Sequence, residues 1–164
     1  MKPALLVIDL QKKFFKINEA HSESLKLAIE YINEAITIFR KKGFPIICIQ
    51  HKDETEGLIP GNGEFEVHES VKLAPQDLRI VKTYGNSFTK TKLTESLKQL
   101  GVDTLIITGF CAEECVLSTY VGAEDNDFTP IILRSAIASG NPNHIKFVED
   151  ISKIISIGAL TKFL

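Results

Sequence analysis

The chain has 164 residues, 44% hydrophobic and 24% charged, with nineteen Lys and Arg against twenty-one Asp and Glu for a formal charge of −2. That length favours one domain spanning residues 1–164, and the composition is globular, which excludes disorder and collagen-like repeats. With no positive excess to release counterions from a phosphate backbone, no nucleic-acid partner is expected. The longest apolar runs fall far short of the ~20 residues a bilayer helix needs, and no charged-then-apolar leader opens the chain, so no membrane partner and a cytoplasmic location are expected. Three cysteines are an odd number in a chain large enough to need no staples, which suits a reducing compartment where thiols serve packing or chemistry.

In chain order, apolar and β-branched runs at Ala4–Ile8, Pro45–Ile49, Leu78–Val81, Thr104–Thr108 and Pro130–Leu133 read as strands. The longest of these contain almost no polar residue, as expected of strands covered on both faces. A run at Gly158–Thr161 is a candidate sixth. Between them lie segments with helical spacing: Leu25, Ile29, Ile32, Ala35, Ile36 and Phe39; Leu93, Leu97 and Leu100; and Ile145, Val148, Ile151, Ile154 and Ile155. Gly43 and Gly101 follow the last turns of the first two, where a left-handed residue ends a helix. The alternation predicts an α/β fold: a single three-layer, Rossmann-type domain whose central, mostly parallel sheet of about six strands carries helices on both faces. Lys52 to Gln76 breaks the pattern as a long polar stretch with Gly57, Pro60, Gly61, Gly63 and Pro75. Such connections are usually functional, and this one is expected to cover a site. Gly61-Asn-Gly63 lacks the Lys-Ser/Thr sequel of a phosphate loop and reads as a loop tip.

Ligands of open α/β sheets bind beyond the carboxyl ends of the strands. There the first strand ends in Asp9, the third in Lys82, and the fourth runs through Gly109 into Cys111 and Cys115 at the start of a helix. A helix N-terminus and a nearby Lys82 are expected to favour the Cys115 thiolate. Asp9 could take the thiol proton and return it to a leaving amine, Lys82 could orient the carboxylate, and backbone N–H groups around Cys111 and Cys115 could form an oxyanion hole. The alternatives are plain: Asp9 as a turn former, Lys82 as a solvated strand end, and a buried, inert Cys. Cys48 lies inside a strand run and reads as core, and the three-residue gap between Cys111 and Cys115 does not fit the two-residue spacing of a thioredoxin-type pair.

Ala4-Leu-Leu-Val-Ile-Asp-Leu-Gln-Lys-Lys-Phe14, Lys82-Thr-Tyr-Gly-Asn-Ser-Phe88 and Gly109-Phe-Cys-Ala-Glu-Glu-Cys-Val116 together resemble the isochorismatase-like cysteine hydrolase superfamily, with the match running from Ala4 to about Ser139. That superfamily includes nicotinamidases, carbamoylsarcosine amidohydrolase-like enzymes and isochorismatases. The resemblance implies a doubly wound sheet, Cys115 as nucleophile, Asp9 as general base and acid, Lys82 as third triad member and a non-proline cis peptide between Phe110 and Cys111. The implied reaction is hydrolysis of a small amide or carbamoyl C–N bond through a thioester, with a small-molecule substrate and a homodimer or homotetramer. Two other readings stand beside it: a vinyl-ether hydrolase of the isochorismatase type, and a silent oligomeric binding module.

Several residues depart from the family pattern. Ala112-Glu113 replaces Thr-Asp before the nucleophile, and Ser135 stands where the fifth strand commonly ends in Asp. Nicotinamidases hold a metal through Asp-x-His, whereas His51-Lys-Asp53 is reversed and the chain has only four His, so neither a metal nor any other cofactor is expected. His51 and His68 read either as pocket polar groups or as loop histidines. Phe110 is a further expected pocket residue, Phe14 and Phe88 read as pocket walls or core, and Gln11 either orients Asp9 or caps a turn.

Overall fold

The computed structural model describes residues 1–164. Six strands, β1 (Pro3–Ile8), β2 (Ile46–His51), β3 (Leu78–Lys82), β4 (Thr104–Phe110), β5 (Thr129–Ala138) and β6 (Ile154–Ile155), form one sheet in the order β3-β2-β1-β4-β5-β6. Every pairing is parallel. The helices are α1 (Glu19–Lys42), α2 (Leu93–Gln99), α3 (Leu117–Asp125), α4 (Pro142–Ile151) and α5 (Ile157–Phe163), and none is long and apolar enough to cross a membrane.

The period of two along each strand divides the core. Ala4, Leu6 and Ile8 of β1 face the side covered by α2, α3 and α4, where Leu97, Tyr120 and Val148 are buried. Leu5 and Val7 face α1 and α5, against Leu25, Ile32, Phe39 and Leu160. The α1 pattern read from the sequence is therefore its buried stripe, closed at the N-terminus by the Asn18 side chain accepting from His21 N and at the C-terminus by Gly43 at φ 71°.

Two expectations at the C-terminal end need correction. The sixth strand is Ile154–Ile155, paired with Ile132 and Leu133, whereas 158–161 lies inside α5. Helix α4 ends at Ile151 because Ser152 is extended, so Ile154 and Ile155 leave the helical stripe and pair with the sheet. A short run of isoleucines fits either period, and the strand pairing decided it. Leu100 and Ile151, placed on apolar faces by spacing, are 39% and 55% exposed because each stands at the end of its helix.

In this order β1 and β4 are neighbours whose outgoing connections lead to opposite sides of the sheet, through α1 to β2 and through α3 to β5. That switch point opens a crevice at the strands' carboxyl ends. Asp9 and Cys111 are the residues that follow these two strands.

Candidate active site

Asp9 leaves β1 with φ 52°, a left-handed conformation that Asp tolerates better than most residues, while its N–H donates to Ile49 O at 2.9 Å. The opposite wall is equally constrained. Gly109 has φ 119°, and a Cβ there would stand 2.1 Å from Ile8 O, so only glycine lets β4 run this close to the end of β1. The next peptide bond, Phe110–Cys111, is cis, and a single π-type turn, Ala112–Val116, carries Cys115 into α3.

Lys82, at the end of β3, is buried with Asp9. Its Nζ lies 2.8 Å from Asp9 Oδ2 and 3.1 Å from His51 Nδ1, and it donates to Tyr84 O at 3.1 Å and to Cys115 Sγ at 3.3 Å. Acid, ammonium and thiol are thus brought together, and the readings of Asp9 as a mere turn former and of Lys82 as a solvated strand end do not hold. Burial raises the Asp9 carboxyl above its ordinary value, with Lys82 opposing the rise. Asp9 Oδ1 is buried without a hydrogen-bond partner.

The thiol departs from expectation. Burial, then the Asp9 charge, push Cys115 up to about 12 despite Lys82. The thiolate is not stabilised at rest, because Lys82 is already committed to Asp9 and a second anion beside that carboxylate is repelled. The arrangement instead places a buried carboxylate with a raised proton affinity beside a protonated thiol, a pair able to exchange one proton. Burial and the Lys82 charge hold His51 below its ordinary value, leaving a neutral imidazole at the pocket wall.

A cavity of about 320 Å³ opens over this group, with Asp9, Phe14, His51, Phe110, Cys111 and Cys115 among its lining residues. Asp53, Glu56 and Leu58 line it too, so the long polar connection does cover the site. Two expected placements need correction, and the open reading of His68 resolves to a loop histidine. Phe88 is buried in the α2/α3 side of the core and stacks on Phe128 with ring centroids 5.8 Å apart, away from the pocket. Gln11 neither lines the cavity nor touches Asp9; its amide exchanges hydrogen bonds with the His51 backbone at 2.7 and 2.9 Å, tying the end of β2 to the segment after β1. His68 stacks on Phe15 and bonds Ser70, outside the cavity.

Glu113 was legible only as a departure from a pattern. It accepts from Cys111 Sγ at 2.8 Å and Ser139 Oγ at 3.0 Å, and its Oε1 lies 2.6 Å from His144 Nδ1. Burial raises this carboxyl, but hydrogen bonds led by the Cys111 thiol outweigh burial and hold it below the ordinary carboxylate range. The network joins the turn after β4 to the end of β5 and to α4. Ser135 is not the end of β5; the strand continues to Ala138, and Ser135 N donates to Glu149 Oε1 at 2.9 Å. The strand-end residue that reaches the network is Ser139, four positions on.

Asp9, His51 and Cys115 offer ligand atoms within 4.8 Å of one another, the spacing of a metal site. The donor set does not fit a resident metal, since the Lys82 ammonium already stands among all three and would repel a cation there.

Fold and site together define a small doubly wound α/β domain with a carboxylate, an ammonium and a thiol gathered at its switch point. A family model described as the isochorismatase domain matches residues 3–152, and the chain belongs to that family. It is 33% identical over 140 residues to the uncharacterized isochorismatase family protein YrdC of Bacillus subtilis (strain 168), covering 84% of this chain and 74% of that one. The N-carbamoylsarcosine amidase of an Arthrobacter species is 25% identical over 169 residues, covering 89% of this chain and 63% of the amidase. An isochorismatase-like hydrolase from Alkaliphilus metalliredigens superposes with a TM-score of 0.90 at 20% identity, covering 99% of each chain, and so shares the fold. The family is one of hydrolases, and the named relatives include that amidase and a streptothricin hydrolase of Streptomyces noursei.

Proposed function

We propose that the protein hydrolyses a small amide or carbamoyl C–N bond through a thioester on Cys115. The observation that carries this reading is the Lys82 ammonium bridging Asp9 at 2.8 Å and Cys115 at 3.3 Å beneath the cavity. Asp9 takes the thiol proton as Cys115 Sγ attacks the carbonyl carbon, and backbone N–H groups of Cys111 and Cys115 receive the developing oxyanion. Asp9 then gives that proton to the departing nitrogen as the C–N bond breaks, leaving a thioester and a free amine. A water attacks the thioester carbon while Asp9 accepts its proton, the C–S bond breaks to release the acid product, and Asp9 returns that proton to the Cys115 thiolate. Lys82 keeps Asp9 ionised until the proton arrives, and Phe14 and Phe110 give the pocket apolar walls. The N-carbamoylsarcosine amidase among the relatives supports the reaction class.

Assembly into a homodimer or homotetramer belongs to the same proposal, supported by Val121 of α3 and Phe147 and Ile151 of α4, which are 48%, 54% and 55% exposed. Light scattering tests it, and a monomer at all concentrations contradicts it.

The test of the chemistry is intact-mass spectrometry after rapid acid quench with a panel of amides. A mass increment equal to the acyl group, mapped to Cys115 and absent in Cys115→Ala, is the expected result. Turnover by Cys115→Ala at the wild-type rate overturns the assignment.

A further inference from the structure

The cavity wall carries more negative charge than the chemistry needs. Four carboxylates line it: Asp9, Asp53, Glu56 and Glu114. Asp9 is matched by Lys82, and Glu56 by Lys13 at 2.6 Å. The other two have no cation. Asp53 is hydrogen-bonded through Oδ1 to Thr55 N and Oγ1 at 2.9 and 2.7 Å, contacts that fix it and keep it ionised, whereas Glu114 has neither an ion pair nor a hydrogen-bond partner for its side chain. No Lys or Arg lines the cavity, and His51 is held neutral. A second observation points to an occupant. Asp9, 98% buried at its side chain and part of the lining, leaves Oδ1 without a partner in the protein, so a proton donor on a bound molecule would complete it.

We propose that the substrate is a cationic amide, carrying an ammonium or guanidinium group besides its scissile bond, and that Glu114 and Asp53 receive that cation. This rests on the amide-hydrolase reading above and narrows it. The amide reaches the thiol at the cavity floor, while the cation sits against carboxylates contributed by the turn after β4 and by the connection after β2. Apolar Phe14, Leu58 and Phe110 cover the methylene stem between the two. An anionic amide would meet two uncompensated like charges and be rejected.

The probes are ω-amino amides from glycinamide to ε-aminohexanamide, each paired with its ω-methyl isostere, with succinamate as the anion. Dissociation constants are measured on Cys115→Ala, and ammonia release on the wild type. At least one ammonium amide should bind and turn over about 2- to 30-fold better than its neutral isostere, the range expected for two carboxylates that water still reaches, Glu114 being exposed and Asp53 partly so. Added salt and the Glu114→Gln/Asp53→Asn double variant should each shrink that ratio. The inference is overturned if no ammonium amide outperforms its isostere in binding, or if the ratio survives the double variant unchanged. The two proposals fail separately: charge-selective binding without hydrolysis removes the hydrolase reading alone, and hydrolysis without charge preference removes the cationic substrate alone.

Discussion

Lys82 Nζ lies 2.8 Å from Asp9 Oδ2, with both side chains closed off from water. A buried pair of this kind is neutral as a unit, and removing one member leaves the other as an uncompensated charge. For Lys82→Met the consequence has a definite sign. Burial alone raises the Asp9 carboxyl, and Lys82 is the largest opposing influence, so its loss raises Asp9 further. If activity needs the Asp9 carboxylate, the acid limb of kcat/KM moves to higher pH in Lys82→Met. An unmoved limb would show that Asp9 is not the titrating base.

Asp9→Asn retains the shape but can neither accept the thiol proton nor protonate a leaving nitrogen. The acylation rate should fall by roughly 10²–10⁴-fold, while binding of an amide to the variant is retained. Stopped-quench measurement of acyl-enzyme formation separates the two quantities. Full kcat/KM from pH 5 to 9 in Asp9→Asn would contradict the proposed mechanism.

Cys115 and Cys48 should respond differently to iodoacetamide. Both thiols are pushed up to about 12, but Cys115 lines the cavity and Cys48 is 1% exposed within β2. Because the attacking species is the thiolate, alkylation of Cys115 in the resting protein should be slow at pH 7 and rise about tenfold per pH unit without a plateau up to pH 10. Cys48 should stay unlabelled until the protein unfolds. Peptide-resolved mass spectrometry reads both. Fast labelling of Cys115 that levels off near neutral pH would mean a stabilised thiolate and contradict the effect of burial.

What the sequence disclosed follows from how locally each feature is encoded. Strand β1, the Ile46–Ile49 part of β2 and the Leu105–Ile107 part of β4 are apolar runs because both faces are covered, and that signal needs no tertiary knowledge. Asp9 and Lys82 stand at strand ends and Cys115 in the turn that follows β4, where topology alone predicts convergence. Phe88 and Gln11 were placed in the pocket because they lie in the motifs that carry Lys82 and Asp9, with core packing and turn capping as the alternatives, yet side-chain direction is a tertiary property, and one turns into the core while the other turns towards β2. The Cys115 proton affinity could not be read either, since it depends on how completely Lys82 is occupied by Asp9. Glu113 was visible only as an unexpected residue, because its partners Ser139 and His144 lie 26 and 31 positions away.

That network gives a further prediction. Glu113→Ala removes the acceptor shared by Cys111 and Ser139 and should cost about 1–3 kcal/mol of stability. Since the same contacts hold the turn that carries Cys115, kcat should fall more than KM rises, as expected when positioning rather than binding is lost. Ser139→Ala should show less than additive loss when combined with Glu113→Ala, because both act through one carboxylate. Additive losses in denaturant melts would show that Ser139 and Glu113 act independently.

The contact between β1 and β4 permits a last test that does not depend on knowing the substrate. A Cβ at Gly109 would stand 2.1 Å from Ile8 O and 2.6 Å from Ile8 N, both backbone atoms of the neighbouring strand that cannot rotate away. The residue also has φ 119°, outside the range that side-chain-bearing residues adopt comfortably. Gly109→Ala therefore has to push β4 away from the end of β1, losing strand pairing and moving Asp9 relative to Cys115. The expected cost is about 3 kcal/mol or more, a fall of roughly 6–12 °C in Tm for a chain of this size. Gly158→Ala is the control, since nothing lies within 4 Å of its added Cβ and the residue is inside helix α5, where alanine is favoured. Calorimetry on the pair should show Gly109→Ala strongly destabilised and Gly158→Ala at or above the wild-type Tm; equal melting of the two would show that β4 does not approach β1 as closely as described.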